Sequence, residues 1–187
     1  MSLSLDPNIF RAYDIRGIVD QALTVEAVTA IGQALAGMAA EKGEKAIAVC
    51  RDGRLSGPKL VDALASGIQS GGLDVIDLGM NPTPVGYFGA ATLDETNSCV
   101  VVTGSHNPPD YNGLKMVVAG ETISGERIQE IRQRIEARNL PSGEGNRSSV
   151  DLTEAYLNRI VSDIEVARPM KVVVDCGNGA AAVAAPE

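Results

Sequence analysis

The chain has 187 residues, of which 44% are hydrophobic, 21% charged and 3% aromatic, enough for one large core or for a domain plus part of another. Its 16 basic residues are outnumbered by 24 acidic ones, and the net charge of −8 argues against general binding to nucleic acid or to anionic membrane surfaces. Any anionic ligand must therefore be held by a local cluster of positive groups.

Cys50, Cys99 and Cys176 are odd in number and widely spaced, so they make neither a disulfide framework nor a metal knuckle. They suggest a reducing compartment, and a cytoplasmic location is the expectation. The first dozen residues hold Asp6, Asn8 and Arg11 with no apolar h-region, and no run approaches the ~20 apolar residues needed to span a bilayer. Neither a signal peptide nor a transmembrane helix is expected.

In chain order, Val25, Val28, Ile31, Leu35 and Met38 form a helical stripe opened by Thr24 and closed by Gly43. Ala46 to Cys50 reads as a strand, followed by the polar turn Arg51-Asp52-Gly53-Arg54 and a second helical stripe at Leu60, Val61, Leu64 and Ile68, stopped by Gly71 and Gly72. Asp74 to Leu78 is a further strand, Val85 to Leu93 a small-residue helix and Ser98 to Thr103 another strand. Alternating strands and helices predict an α/β fold, a mostly parallel sheet sandwiched by helices. Between Thr103 and Leu114, Pro108, Pro109 and Gly113 leave no room for a crossover helix, so a strand over Leu114 to Ala119 returns antiparallel and the sheet is mixed.

A charged helix bearing Ile128, Ile131 and Ile135 is begun by Ser124, after which Asn139 to Ser149 loses all periodicity. The domain boundary is placed there, with residues 1–149 as a first domain and 150–187 as the start of a second, similar α/β domain. Asp151 and Glu154 resemble a capping box for a helix carrying Leu157, Ile160, Val161 and Ile164, and Lys171 to Asp175 reads as a new strand. One helix and one strand cannot close a core, so the chain is expected to be the amino-terminal portion of a longer protein.

The segment Thr103-Gly104-Ser105-His106-Asn107-Pro108-Pro109-Asp110-Tyr111-Asn112-Gly113-Leu114-Lys115 places hydroxyl, imidazole, amide and amine groups within one stiff connection and holds the chain's single histidine. Polar turn residues between strands are also common without any chemistry. A hydrolase is disfavoured because neighbouring side chains on an extended chain point to opposite sides, which separates Ser105 from His106. A nucleotide-dependent kinase is disfavoured because no Gly-Lys-Ser/Thr phosphate loop occurs. What remains is a serine that takes and gives a phosphoryl group.

With FRAYDIRG at Phe10 to Gly17, RDGRLSG at Arg51 to Gly57, TGSHNPPDYNGLK at Thr103 to Lys115 and KVVVDCGNG at Lys171 to Gly179, the chain resembles the α-D-phosphohexomutases, and within them the bacterial phosphomannomutase/phosphoglucomutase group. The match runs from Ile9 to Ala180. It departs at Cys50, where relatives commonly have glycine, and at Leu114, where some have phenylalanine.

The resemblance implies a phosphoserine at Ser105 that donates its phosphoryl group to a hexose 1-phosphate or 6-phosphate and recovers one from the hexose 1,6-bisphosphate intermediate. It implies Lys115 as general acid/base, His106 in proton handling or orientation, Arg16 and Tyr13 near the transferring phosphate, and Asn107 in phosphate binding. A guanidinium fork suits a pair of phosphate oxygens, which favours Arg16 as a phosphate contact, against an ion pair with Asp14 or Asp20. Lys115 must shed its own proton before acting as a base, which calls for burial or cationic neighbours. Arg51 and Arg54 are expected to brace their turn through Asp52 or to serve the site. Phosphoserine brings about −1.5 to −2 charges, so Mg²⁺ is implied, with the Ser105 phosphate as one ligand and a DGDGD-type loop, which this sequence lacks, as the source of the rest.

Two other readings compete. Gly177-Asn178-Gly179-Ala180-Ala181-Ala182 mimics a dinucleotide fingerprint, but Asp175 and Cys176 intrude between strand and first glycine. The chain can also be read as a non-catalytic phosphosugar-binding or structural domain. The expectation is a mutase parent with the isolated chain inactive, hexose phosphates as the small-molecule partners, and a monomer as the simplest oligomeric state.

Overall fold

The computed structural model describes residues 5–187. After a 3-10 turn at Pro7–Ile9, the elements are β1 (Ile15–Ile18), α1 (Val25–Ala40), β2 (Ala46–Arg51), α2 (Gly57–Ser70), β3 (Asp74–Met80), α3 (Thr83–Thr92), β4 (Cys99–Val102), β5 (Tyr111–Val118), β6 (Glu121–Thr122), α4 (Glu126–Glu136), β7 (Arg147–Ser149) and α5 (Thr153–Asp163). Thr24 Oγ1 accepts the Ala27 N–H at 3.2 Å and caps α1 as its position in the sequence predicts. Pro58 sits in the first turn of α2, where no N–H is required of it.

The seven strands form one sheet in the order β1-β5-β4-β2-β3-β7, with β6 also on β5. β2 pairs in parallel with β3 and β4, and β3 with β7, whereas β5 runs antiparallel to β4 and β1. The antiparallel return after Thr103 is as expected, and its strand begins earlier, at Tyr111. Against one face pack α1, α2 and α4, burying Ile31, Leu35, Leu60, Leu64, Ile128 and Ile131 on Val49, Val75, Val100 and Leu114. The other face is covered by α3 and by Leu152, on Ala48, Cys50, Ile76 and Val101. Each fully buried Leu or Ile contributes about 1.5–3 kcal/mol of transfer free energy.

α1 and α2 touch backbone to backbone. A Cβ on Gly67 would lie 2.0 Å from Thr29 O, and one on Gly32 would lie 2.4 Å from Leu64 O, so only glycine permits this approach.

Four local expectations are corrected. The helix assigned to Ser124 starts at Glu126 behind Gly125, whose φ of +51° suits glycine; Ser124 contributes only its carbonyl, to Arg127 N–H at 3.0 Å. Asp151 accepts the Thr153 N–H at 2.9 Å, but from one position ahead of the N-cap, Leu152, so no reciprocal capping box forms. The aperiodic stretch after Asn139 is tied to the domain: Pro141 O and Gly145 O accept from Gln33 and Gln69, and Arg147 donates to Asp62 at 2.8 Å and to Asp77 at 2.6 Å while 147–149 extends the sheet. All three residues of β7 are exposed, so no apolar period marks it. Lys171 to Asp175 forms no strand: no described strand pairs with it, and Val172, Val173 and Val174 are 67–97% exposed. Among the described residues, no helix is long and apolar enough to cross a membrane.

Candidate active site

The loop from Thr103 to Asp110 leaves β4, whose residues are all buried, and so rises from the rigid middle of the sheet. Its base is bolted to the neighbouring strand. Asp52, directly after β2, donates its N–H to Val102 O at 3.0 Å, and its carboxylate accepts from Thr103 Oγ1 at 2.9 Å, Gly104 N at 3.1 Å and Arg54 N at 3.0 Å. Thr103 Oγ1 in turn accepts the Ser105 N–H at 3.0 Å.

Arg54 holds the other end. Its Nη1 donates to Pro108 O at 2.6 Å and Tyr111 O at 2.9 Å, its Nη2 donates to Asn107 O at 2.6 Å and Ser105 O at 3.0 Å, and its Nε faces Asp52 at 3.5 Å. The guanidinium lies flat on Gly104, where a Cβ would come within 2.2 Å of Cζ. Arg51 instead donates to Asp52 O at 3.0 Å.

Ser105 has a φ of +52°, in the left-handed region that a serine enters at a cost of roughly 1–2 kcal/mol. Its N–H and its C=O are both engaged, and the residue is exposed. The left-handed turn also brings Oγ to 3.4 Å from His106 Nδ1. The expectation that these two side chains diverge is therefore corrected, because it assumed an extended chain.

Asn107 turns its amide inward, donating Nδ2 to Gly104 O at 3.0 Å, where it stiffens the loop. Arg16, on β1, is paired with Asp14, both side chains being nearly buried, and its Nε has no hydrogen-bond partner. Asp20 pairs with Lys59. Arg16 stands opposite Gly113 in the ladder and Lys115 stands opposite Val101, so the pleat puts Arg16 and Lys115 on one face of the sheet, two positions apart along β5. Lys115 is half-buried and Tyr13 is 81% exposed.

These residues do not converge on one cavity. Ser105, Arg54, Leu55 and Pro109 form one wall of a cleft of about 500 Å³ whose other wall is Asn178, Gly179 and Ala180. Arg16 lines a separate cleft of about 310 Å³ with Arg11, Gln21 and Tyr111. Among the described residues, no group of three His, Cys, Asp or Glu side chains is placed to hold a metal ion, and the carboxylate at the loop base, Asp52, is committed to three hydrogen bonds within the loop and its turn. The residues present do not by themselves make a divalent-cation site.

An exposed hydroxyl on a clamped, left-handed turn, with imidazole beside it and cations on the adjoining sheet face, suits group transfer to an anionic partner. Residues 7–141 match the family described as phosphoglucomutase/phosphomannomutase, alpha/beta/alpha domain I. This chain belongs to that family. It is 54% identical over 184 residues to a phosphomannomutase/phosphoglucomutase of Pseudomonas aeruginosa, across 98% of this chain and 40% of that protein. It is 48% identical over 174 residues to a phosphoglucomutase of Neisseria meningitidis serogroup A, across 92% of this chain and 38% of the relative. The crystal structure of a phosphoglucomutase/phosphomannomutase family protein from Burkholderia thailandensis superposes with a TM-score of 0.85 at 46% identity, over 89% of this chain and 38% of that one. The chain thus spans about 40% of the length of the phosphohexomutases it matches.

The sequence marks Asp52 only as a brace for Arg51 and Arg54, and it does not mark Gly104. The available signal was a polar turn, Arg51 to Arg54, set directly at the end of a fully apolar strand.

Proposed function

We propose that this chain carries the phosphoryl-transferring serine of a phosphomannomutase/phosphoglucomutase that interconverts hexose 1-phosphate and hexose 6-phosphate through a hexose 1,6-bisphosphate. The observation that carries the reading is Ser105, whose main chain is pinned at N–H and C=O while the exposed residue lines one wall of the 500 Å³ cleft.

In the first half-reaction a sugar hydroxyl oxygen bonds to the phosphorus of phosphorylated Ser105 as the bond from phosphorus to Ser105 Oγ breaks. The sugar proton passes to Lys115 as general base, and Ser105 Oγ is left to take up a proton, with His106 at 3.4 Å suited to manage it. The bisphosphate then turns over and returns its other phosphoryl group to Ser105, so the net reaction is isomerisation. Arg16 serves a phosphate, with Tyr13 at the sugar side and Asn107 holding the loop in shape. Mg²⁺, where bound, would neutralise part of the transferring charge, although the residues present do not by themselves hold it. Residues 150–187 open a second domain in this reading, and the protein acts on small hexose phosphates in the cytoplasm without nucleic-acid or membrane partners.

Intact-mass analysis with phosphosite mapping, on the protein isolated from its native source, tests the reading. One phosphate on Ser105, discharged by hexose monophosphate and lost in Ser105→Ala, is the expected result. An unmodified Ser105 that accepts no phosphoryl group from hexose 1,6-bisphosphate would favour a non-catalytic phosphosugar-binding domain. The 187-residue chain alone is expected to give no turnover.

A further inference from the structure

We propose that Arg54 is a positioning residue for phosphoryl transfer: it locks the serine loop in the conformation that presents Ser105 Oγ, and does so without touching the phosphate. The inference rests on the mutase reading above.

A guanidinium has five N–H groups in a rigid plane. Four of those on Arg54 go to the carbonyls of Ser105, Asn107, Pro108 and Tyr111, and the fifth faces Asp52. None remains for a phosphate oxygen. The arrangement also explains why the loop needs a cation at this place. Four carbonyl oxygens converge on one centre, and without a positive group among them their negative ends repel and the loop opens. A lysine ammonium has three N–H groups and no plane, so it cannot serve all the partners.

The clamp acts on Ser105 directly. The Ser105 carbonyl is one of its four partners, and Ser105 is the loop residue in the left-handed region, a conformation that persists only where surrounding contacts over-determine it. Gly104 completes the device. Its missing Cβ is the space the guanidinium occupies, with 2.2 Å between an added methyl and Cζ. A nearly buried positive charge is thereby fixed behind the residue that gains and loses about −1.5 to −2 charges in each half-reaction.

The test uses the native-length protein with steady-state mutase kinetics and Ser105 phosphate content as readouts. Arg54→Ala and Arg54→Lys are expected to lower kcat about a hundred-fold, the scale of a misplaced reacting group. KM for hexose phosphate should stay within about three-fold, because no N–H of Arg54 is free to bind it. Millimolar guanidinium should restore part of the Arg54→Ala rate, and ammonium should not. Gly104→Ala keeps the arginine but displaces it, so it should reproduce the kcat loss in the wild-type background and add little in the Arg54→Ala background. That second variant carries the test if Arg54→Ala does not fold.

Wild-type kcat in Arg54→Lys, a loss confined to KM, or additive effects of Gly104→Ala and Arg54→Ala would each overturn the clamp while leaving the mutase reading intact. A wild-type protein that neither accepts nor donates a phosphoryl group overturns the mutase reading and this inference with it.

Discussion

Asp52 and Thr103, at the ends of the neighbouring strands β2 and β4, are joined carboxylate to hydroxyl at 2.9 Å, and the same carboxylate oxygen takes the Gly104 N–H at 3.1 Å. The strand ends are thus stitched together where the serine loop departs. Replacing Asp52 by Ala leaves the buried Thr103 hydroxyl and the Gly104 N–H without an acceptor, and the expected loss is about 3 kcal/mol of unfolding free energy, given 1–3 kcal/mol for each buried group left unpaired. Urea unfolding followed by circular dichroism measures it, and Asp52→Asn, which keeps one acceptor oxygen, should fall between the two. An unchanged midpoint for Asp52→Ala would remove the stitch from the account.

The left-handed turn at Ser105 predicts an inversion of the usual order of substitutions. Ser105→Gly should be more stable than Ser105→Ala by about 1 kcal/mol, because glycine enters this region freely whereas alanine keeps the Cβ clash. Neither variant can be phosphorylated at this position. Equal melting temperatures for the two would mean that residue 105 is not left-handed in solution.

Gly67→Ala should separate α1 from α2, since the added carbon would stand 2.0 Å from a carbonyl oxygen with no flexible group to yield. Overpacking of this kind costs about 1–3 kcal/mol, and contact with backbone puts the expectation at the upper end. The melting temperature reads it out. An exposed helix glycine would instead gain stability on becoming alanine, so a rise would contradict the close approach.

Burial pushes the thiols of Cys50 and Cys99 from 9.0 up to about 12, and both lie under α3 in the second core cluster. Since the folded state raises these values, their contribution to stability is full below pH 9 and is lost progressively as pH rises from 9 toward 12. At pH 8 under native conditions, alkylation with iodoacetamide should label the half-exposed Cys176 and leave Cys50 and Cys99 unlabelled until the protein is denatured. Mass spectrometry of the peptides decides it, and rapid native labelling of Cys50 would show that α3 does not cover it.

Much of the architecture was legible because it follows from local pattern. Val28, Ile31 and Leu35 recur with the helical period, Thr24 supplies a cap, and Pro108 with Pro109 forbids a crossover helix, which by itself requires an antiparallel β5. β7 was not legible, since Arg147, Ser148 and Ser149 all face outward and join the sheet through backbone bonds and an arginine clamp to Asp62 and Asp77. Lys171 to Asp175 failed in the opposite sense: three valines favour a strand, but a strand exists only where another supplies its hydrogen bonds.

The site divides along the same line. The residue types and their order, a serine and histidine within TGSHNP and a lysine after Asn112-Gly113, were determined by the sequence alone, because chemistry depends on which groups are present within a short reach. Their geometry was decided only by the tertiary structure. Ser105 and His106 are neighbours whose side chains meet because the backbone turns left-handed between them, and that turn is held by Asp52 and Arg54, about fifty residues earlier in the chain. Arg54 and the four carbonyls it gathers share no sequence period; they are brought together because β2 and β4 lie side by side in the sheet, and the hydrogen bonds of the ladder, not local propensity, set that pairing.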